Sequence, residues 1–194
     1  MAAEKKVKDI MNPIEEYNTV DIESHLCDAI AILKRNHEKL KSGEISSYHK
    51  TLFVTDASGR IVGKLSMYNL VRGMVPESAK EAEELSVRAL SSRALEVADQ
   101  VGEFQERFKW LHTSFFDLVK QEAHKSVKDI MVPIEPQLKE DDPMNLAIYI
   151  LFKNDVRQQL VERGDKVVGV VNLMVLLNEF LDVASPECNI EWER

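Results

Sequence analysis

The stretch VKDIMNPIE, Val7 to Glu15, returns 120 positions later as VKDIMVPIE, Val127 to Glu135, with only Asn12 and Val132 differing. A chance match would stop there, but the likeness continues, which marks an internal repeat. After each copy comes a short extended piece and then a helix start. In the second copy Asp142-Pro143 predicts an N-cap and first-turn pair, because the Asp side chain accepts from free amides and Pro needs no donor there. Ser24 holds the matching place in the first. Behind them Leu26, Ala29, Ile30 and Leu33 answer to Met144, Ala147, Ile148 and Leu151, apolar at helical spacing.

The second half of each copy predicts a hairpin: TLFVTDASGRIVGKLS at 51–66 and QQLVERGDKVVGVVN at 158–172. Asp56, Ser58 and Gly59, and Arg163, Gly164 and Asp165, supply turn chemistry between β-branched runs. Gly63 and Gly169 occupy the same place in both, and a short helix follows each. Each copy therefore reads β-α-β-β-α, and the class is α+β. A unit of about 55–65 residues is near the lower limit for independent stability. Two such half-sheets, paired across a pseudo-twofold, cover each other.

Composition narrows the function classes. The 194 residues carry a net charge of −8 and no basic tract, so nucleic acid is not expected as a partner. No apolar run reaches the roughly 20 residues that span a bilayer, and MAAEKKVKD lacks the apolar stretch of a signal peptide. A cytoplasmic protein with no membrane partner is the expectation. Two cysteines do not make a disulfide framework, and Cys27 reads as a small core residue. Neither the histidine spacing nor any nucleophile-base motif suggests a metal centre or a catalytic site, so no enzyme is expected.

The M-x-P start, the capped helix, and the ending V-x-D-x-x-G-x-h-V-G-h-h-S/T-x-x-D resemble a cystathionine-beta-synthase (CBS) domain, and two in tandem resemble a CBS pair, or Bateman module. The resemblance makes residues 1–75 motif 1, 76–123 a helical insertion, 124–183 motif 2, and 184–194 a C-terminal tail. It implies a regulatory module with no required cofactor, whose effector is an adenine-containing small molecule such as AMP, ADP, ATP or S-adenosylmethionine. In that family the S/T-x-x-D hydroxyl and helix start serve phosphate, and the carboxylate accepts from the ribose diol. Here the first copy reads Ser66-Met67-Tyr68-Asn69, which leaves one neutral acceptor, and the second reads Asn172-Leu173-Met174-Val175, which leaves none at the last position. The other wall of a family site maps onto Pro13, Ile14 and Tyr17, with Thr51, in the first copy and onto Pro133 and Ile134 in the second. Ser66, Asn69 and Asn172 complete the ligand-binding set. Pro, Ile and Tyr also suit the packing of a helix-to-strand corner, and Ser66 a routine N-cap. Lys50, Lys64 and Arg157 are the candidate phosphate cations.

The insertion departs from the repeat. Val87, Leu90, Ala94, Val97, Val101, Phe104, Phe108, Leu111, Phe115 and Leu118 alternate steps of three and four, which predicts an unbroken heptad seam. One straight helix would span about 70 Å, whereas the two motifs of a compact pair must join within about 25–30 Å. A hairpin bent near Ser91-Ser92 or Gly102 resolves the conflict, and so does a long helix that hands motif 2 to a neighbouring chain. The arm's aromatics suit a homodimer contact or a protein partner, and a CBS-like scaffold without nucleotide binding is the competing function. A second departure is HEKLKSGEISSYHK, 37–50, which predicts an extended helix end and a loop before the second strand of the first copy.

Overall fold

The computed structural model of the chain describes residues 5–76, 109 and 111–187. The first copy supplies α1 (Val7–Ile10), β1 (Asn12–Pro13), a 3-10 turn (Ile14–Glu16), β2 (Thr19–Asp21), α2 (Leu26–Ser42), β3 (Leu52–Thr55), β4 (Ile61–Leu65) and α3 (Met67–Gly73). After α4 (Phe115–Glu122), the second supplies α5 (Val127–Ile130), β5 (Val132–Pro133), β6 (Leu138–Lys139), α6 (Met144–Lys153), β7 (Gln158–Arg163), β8 (Lys166–Asn172) and α7 (Leu173–Glu187). Among the described residues no helix is long and apolar enough to cross a membrane.

The strands form two four-stranded sheets, ordered β1-β8-β7-β6 and β2-β3-β4-β5. Neither sheet belongs to one copy, which corrects the expectation of two half-sheets. Strand β1 of the first copy runs antiparallel to β8 of the second, with Pro13 opposite Gly169. Strand β5 of the second runs antiparallel to β4 of the first, with Pro133 opposite Gly63. Proline explains why these are edge strands: it forces its predecessor into extended backbone and offers no N–H to a further strand.

The short helices cross over with their strands. Val7 and Ile10 are buried against Leu138, Ala147, Leu151, Val161 and Val171 of the second copy. Val127 and Ile130 are buried against Val20, Leu26, Ala29, Leu52, Val54, Leu65 and Leu70 of the first. Backbone bonds repeat the exchange: the Val7 amide donates to the Asp142 carbonyl at 2.9 Å, and the Val127 amide to the Ser24 carbonyl at 2.9 Å. Each buried valine contributes about 1.5–3 kcal/mol to the opposite copy's core. A third cluster, Tyr17, Phe53, Ile134, Leu160 and Val170, lies between the sheets.

Three local expectations are corrected. The long helices of both copies start one residue later than predicted, with His25 and Pro143 at the N-cap position. Both residues are held extended by bridges to the other copy, His25 to Ser126 and Pro143 to Lys6. The Asp142 carboxylate instead accepts from the Lys139 amide at 2.7 Å. Cys27 is only half-buried, because it falls beside the core positions Leu26 and Ala29 of α2 rather than on their face. The heptad seam breaks between Leu111 and Phe115. There the Ser114 hydroxyl caps α4 by accepting from the Asp117 amide at 3.1 Å, and Leu111 and Phe115 are exposed. The rest of the seam and both predicted bends lie outside the described residues.

Within the inserted stretch, α2 runs to Ser42 and stops at Gly43, whose φ of 78° closes the helix with bonds to the Leu40 and Lys39 carbonyls. Residues 44–50 then return irregularly to β3.

Candidate functional site

The crossed strands bring the M-x-P corner of the first copy to the last helix of the second. Between them lies a cleft of about 270 Å³ lined by Tyr17, His49, Lys50, Thr51, Arg157, Gln158, Asn172, Leu173 and Met174. Tyr17 sits at the end of the 3-10 turn and is 6% exposed. Its hydroxyl accepts from Asn12 Nδ2 at 3.3 Å and from Asn172 Nδ2 at 3.4 Å. One ring face tilts against Phe53 at a centroid distance of 5.2 Å, and His49 stacks on the ring at 3.9 Å with planes 9° apart. Burial pushes the Tyr17 phenol above its ordinary pKa, so it stays neutral.

Thr51 and Gln158 occupy matching positions of the repeat and meet at the centre, where the Thr51 hydroxyl donates to Gln158 Oε1 at 3.4 Å. Gln158 Nε2 is enclosed with no hydrogen-bond partner among the described residues. Lys50 and Arg157, adjacent in sequence to this pair, line the cleft mouth, and neither forms an ion pair among the described residues. Among the described residues no carboxylate lines the cleft, and Glu16 reaches it only through its contact with His49. A chain of net charge −8 thus presents here a positively charged recess of hydroxyl and amide groups.

The S/T-x-x-D positions have different surroundings in the two copies. Asn172 Oδ1 accepts from the Val175 amide at 3.0 Å, while its Nδ2 reaches Tyr17. Val175 packs on the second core. In the first copy Ser66 caps α3: its hydroxyl accepts from the Asn69 amide at 3.3 Å, and Asn69 Oδ1 accepts from the Ser66 amide at 3.0 Å and hydroxyl at 2.5 Å. Asn69 is 8% exposed and its acceptor is turned to its own cap. It borders a smaller recess of about 150 Å³ with Arg72, Gly73, Asp129, Ile130, Met131 and Val132.

The nine residues expected from the sequence therefore separate. Tyr17, Thr51 and Asn172 converge in the larger cleft, with the cations Lys50 and Arg157, while Asn69 borders the smaller and Ser66, the N-cap of α3, lines neither. Pro13 and Pro133 are in the edge strands, and Ile14 and Ile134 pack between the sheets. Lys64 shares the face of its register partner Phe53 but is not among the residues lining the cleft, and burial lowers its pKa. Sequence reasoning missed His49, Gln158, Leu173 and Met174. Gln158 was recoverable, because it is the repeat counterpart of Thr51; His49 lies in the stretch that has no counterpart.

Neither a family model nor a curated protein sequence matches this chain, but solved structures do. CBSX2, a CBS-pair protein from Arabidopsis thaliana, is 19% identical with a TM-score of 0.52, over 93% of this chain and 97% of its own. A CBSX2 structure in complex with AMP is 18% identical with a TM-score of 0.50, over 92% and 97%. The CBS domain pair of protein MJ0100, in complex with 5′-methylthioadenosine and S-adenosyl-L-methionine, is 15% identical with a TM-score of 0.52, over 93% and 98%.

Proposed function

Because the chain folds as a CBS domain pair, we propose that it is a stand-alone regulatory module sensing an adenine-containing small molecule in the cleft between Tyr17 and Asn172. The observation that carries this reading is the meeting of Tyr17, Thr51 and Asn172 with Lys50 and Arg157 in one recess. Hydroxyl and amide groups suit the edges of a base or sugar, and a guanidinium and an ammonium without an ion pair among the described residues suit phosphate. The AMP and S-adenosylmethionine in the neighbouring structures support the ligand class. The module binds and transmits; it does not catalyse.

A second reading, a scaffold that associates through an apolar face, draws on other observations. Val175 is an aliphatic residue packed against the core and Asn69 turns its acceptor to its own cap, so neither offers a ribose acceptor. Leu173, Met174, Leu177, Phe180 and Leu181 form an exposed row along α7, with Met67, Tyr68 and Val71 exposed on α3. Such a surface supports self-association as a homodimer. Thermal unfolding with AMP, ADP, ATP, adenosine and S-adenosylmethionine separates the two. A ligand at 100 times its Kd adds about 2.7 kcal/mol of stability. A rise in midpoint with at least one ligand, lost in Arg157→Gln for the phosphorylated ones, supports the sensor; no rise with any of them leaves the scaffold.

A further inference from the structure

The Tyr17 ring is buried, with 6% of its surface exposed. Its hydroxyl is held by Asn12 and Asn172, and Phe53 of the inter-sheet cluster lies against it. The remaining approach, from the cleft, is taken by the His49 imidazole, nearly parallel at 3.9 Å. That spacing and 9° tilt are those of a stacked planar ligand. His49 arrives at the end of the 37–50 stretch, which the second copy lacks. Besides the stack, the polar contact that restrains it among the described residues is His49 Nε2 to Glu16 Oε2 at 3.2 Å, with side chains 29% and 53% accessible.

We propose that His49 is an internal competitor that governs which ligands enter the cleft: it occupies the stacking face of Tyr17, and a planar ligand ring engages the cleft by displacing it and releasing the Glu16 contact. The inference rests on the sensor reading and deepens it, since it specifies a ring-bearing ligand and the group that yields to it. Displacement is inexpensive. The Glu16 contact is solvent-exposed and so weak, and the incoming ring restores to Tyr17 the stacking that His49 gives up. Lys50 and Thr51 follow His49 directly, so the same movement repositions a cleft-lining cation and the hydroxyl facing Gln158. Occupancy of the cleft is thereby linked to the conformation of residues 43–50.

The test is titration calorimetry of wild type, His49→Ala and Glu16→Gln with two probes, AMP and ribose 5-phosphate, together with NMR of the His49 ring protons. His49→Ala is expected to tighten AMP about three- to tenfold, the range of one aromatic stack with its weak tether, and to leave ribose 5-phosphate unchanged. Glu16→Gln is expected to tighten AMP in the same direction by less. Saturating wild type with AMP is expected to remove the upfield ring-current shift that Tyr17 imposes on His49. AMP binding with that shift retained, or weakened by His49→Ala, overturns the competitor role while the sensor reading stands, because His49 is then part of the platform. Absence of AMP binding to wild type and His49→Ala alike overturns the competitor role, and the sensor reading falls with it only if adenosine, ADP, ATP and S-adenosylmethionine also leave the unfolding midpoint unchanged.

Discussion

Replacing Gly169 with alanine tests the crossed-strand architecture most directly. A Cβ at this position would stand 2.5 Å from Met11 Sδ, 2.9 Å from Met11 Cγ and 2.9 Å from the Asn12 carbonyl oxygen. The thioether can swing aside, but the carbonyl belongs to β1, whose partner is β8 itself, so the strands must separate. At the repeat-equivalent Gly63 the distances are 2.7 Å to Met131 Sδ, 3.3 Å to Met131 Cγ and 3.1 Å to the Val132 oxygen, and only the thioether must move substantially. Overpacking costs about 1–3 kcal/mol. Gly169→Ala belongs at the upper end and Gly63→Ala near about 1 kcal/mol. For a chain of this length each kcal/mol lowers the melting midpoint by about 2–4 °C. Urea unfolding followed by circular dichroism measures both, alongside Gly169→Ala/Met11→Ala, Gly63→Ala/Met131→Ala and the methionine single variants. Relative to those single variants, the second pair should recover nearly all of the loss and the first only part of it. A Gly169→Ala variant within about 0.5 kcal/mol of wild type, or one fully rescued by removing Met11, would refute the close approach of the two backbones.

Lys64 stands where the repeat places Val170 in the second copy, on the face that meets the other sheet, and burial lowers its pKa from 10.5. Lys64→Met should raise stability by about 0.5–1 kcal/mol after allowance for the solvent that still reaches the ammonium. Because a depressed lysine pKa penalises the charged form, the gain is full below the folded pKa, shrinks as pH rises through it and is lost above 10.5; a variant less stable than wild type at neutral pH rejects it. Asp56 accepts from Ser58 and Arg60, and these bonds, led by the Ser58 hydroxyl, hold its pKa down to about 2 from 3.8. The stabilisation is complete above pH 3.8 and disappears as pH falls through about 2, so melting midpoints of wild type and Asp56→Asn should converge across that window. A constant gap between the two curves excludes the linkage.

The repeat made most of the fold readable, because hydrophobic period and turn residues are local properties. The hairpins at 52–65 and 158–172 form as the turn residues imply, and the helical faces of Leu26 and Met144 pack as their spacing implies. The displaced caps at His25 and Pro143 were not readable, since what moves them is backbone pairing with the opposite copy. Likewise the heptad spacing runs through Ser114, whose capping bond interrupts it. At the candidate site, Tyr17, Thr51 and Asn172 were identifiable as residue types at motif positions, and Lys50 and Arg157 as charges nearby. His49 was not, because no repeat partner marks it.

The sequence by itself determined that there are two copies, what elements each contains, and that their acid positions have diverged to Asn69 and Val175. Only the tertiary structure decided that each M-x-P strand completes the other copy's sheet. The physical reason is that identical VKDIM segments carry no label for a partner: Val7 and Val127 present the same apolar face, and the choice between near and far sheet rests on which arrangement buries both. That choice also places Tyr17 beside Asn172 rather than beside Asn69, and so determines where a ligand cleft can form.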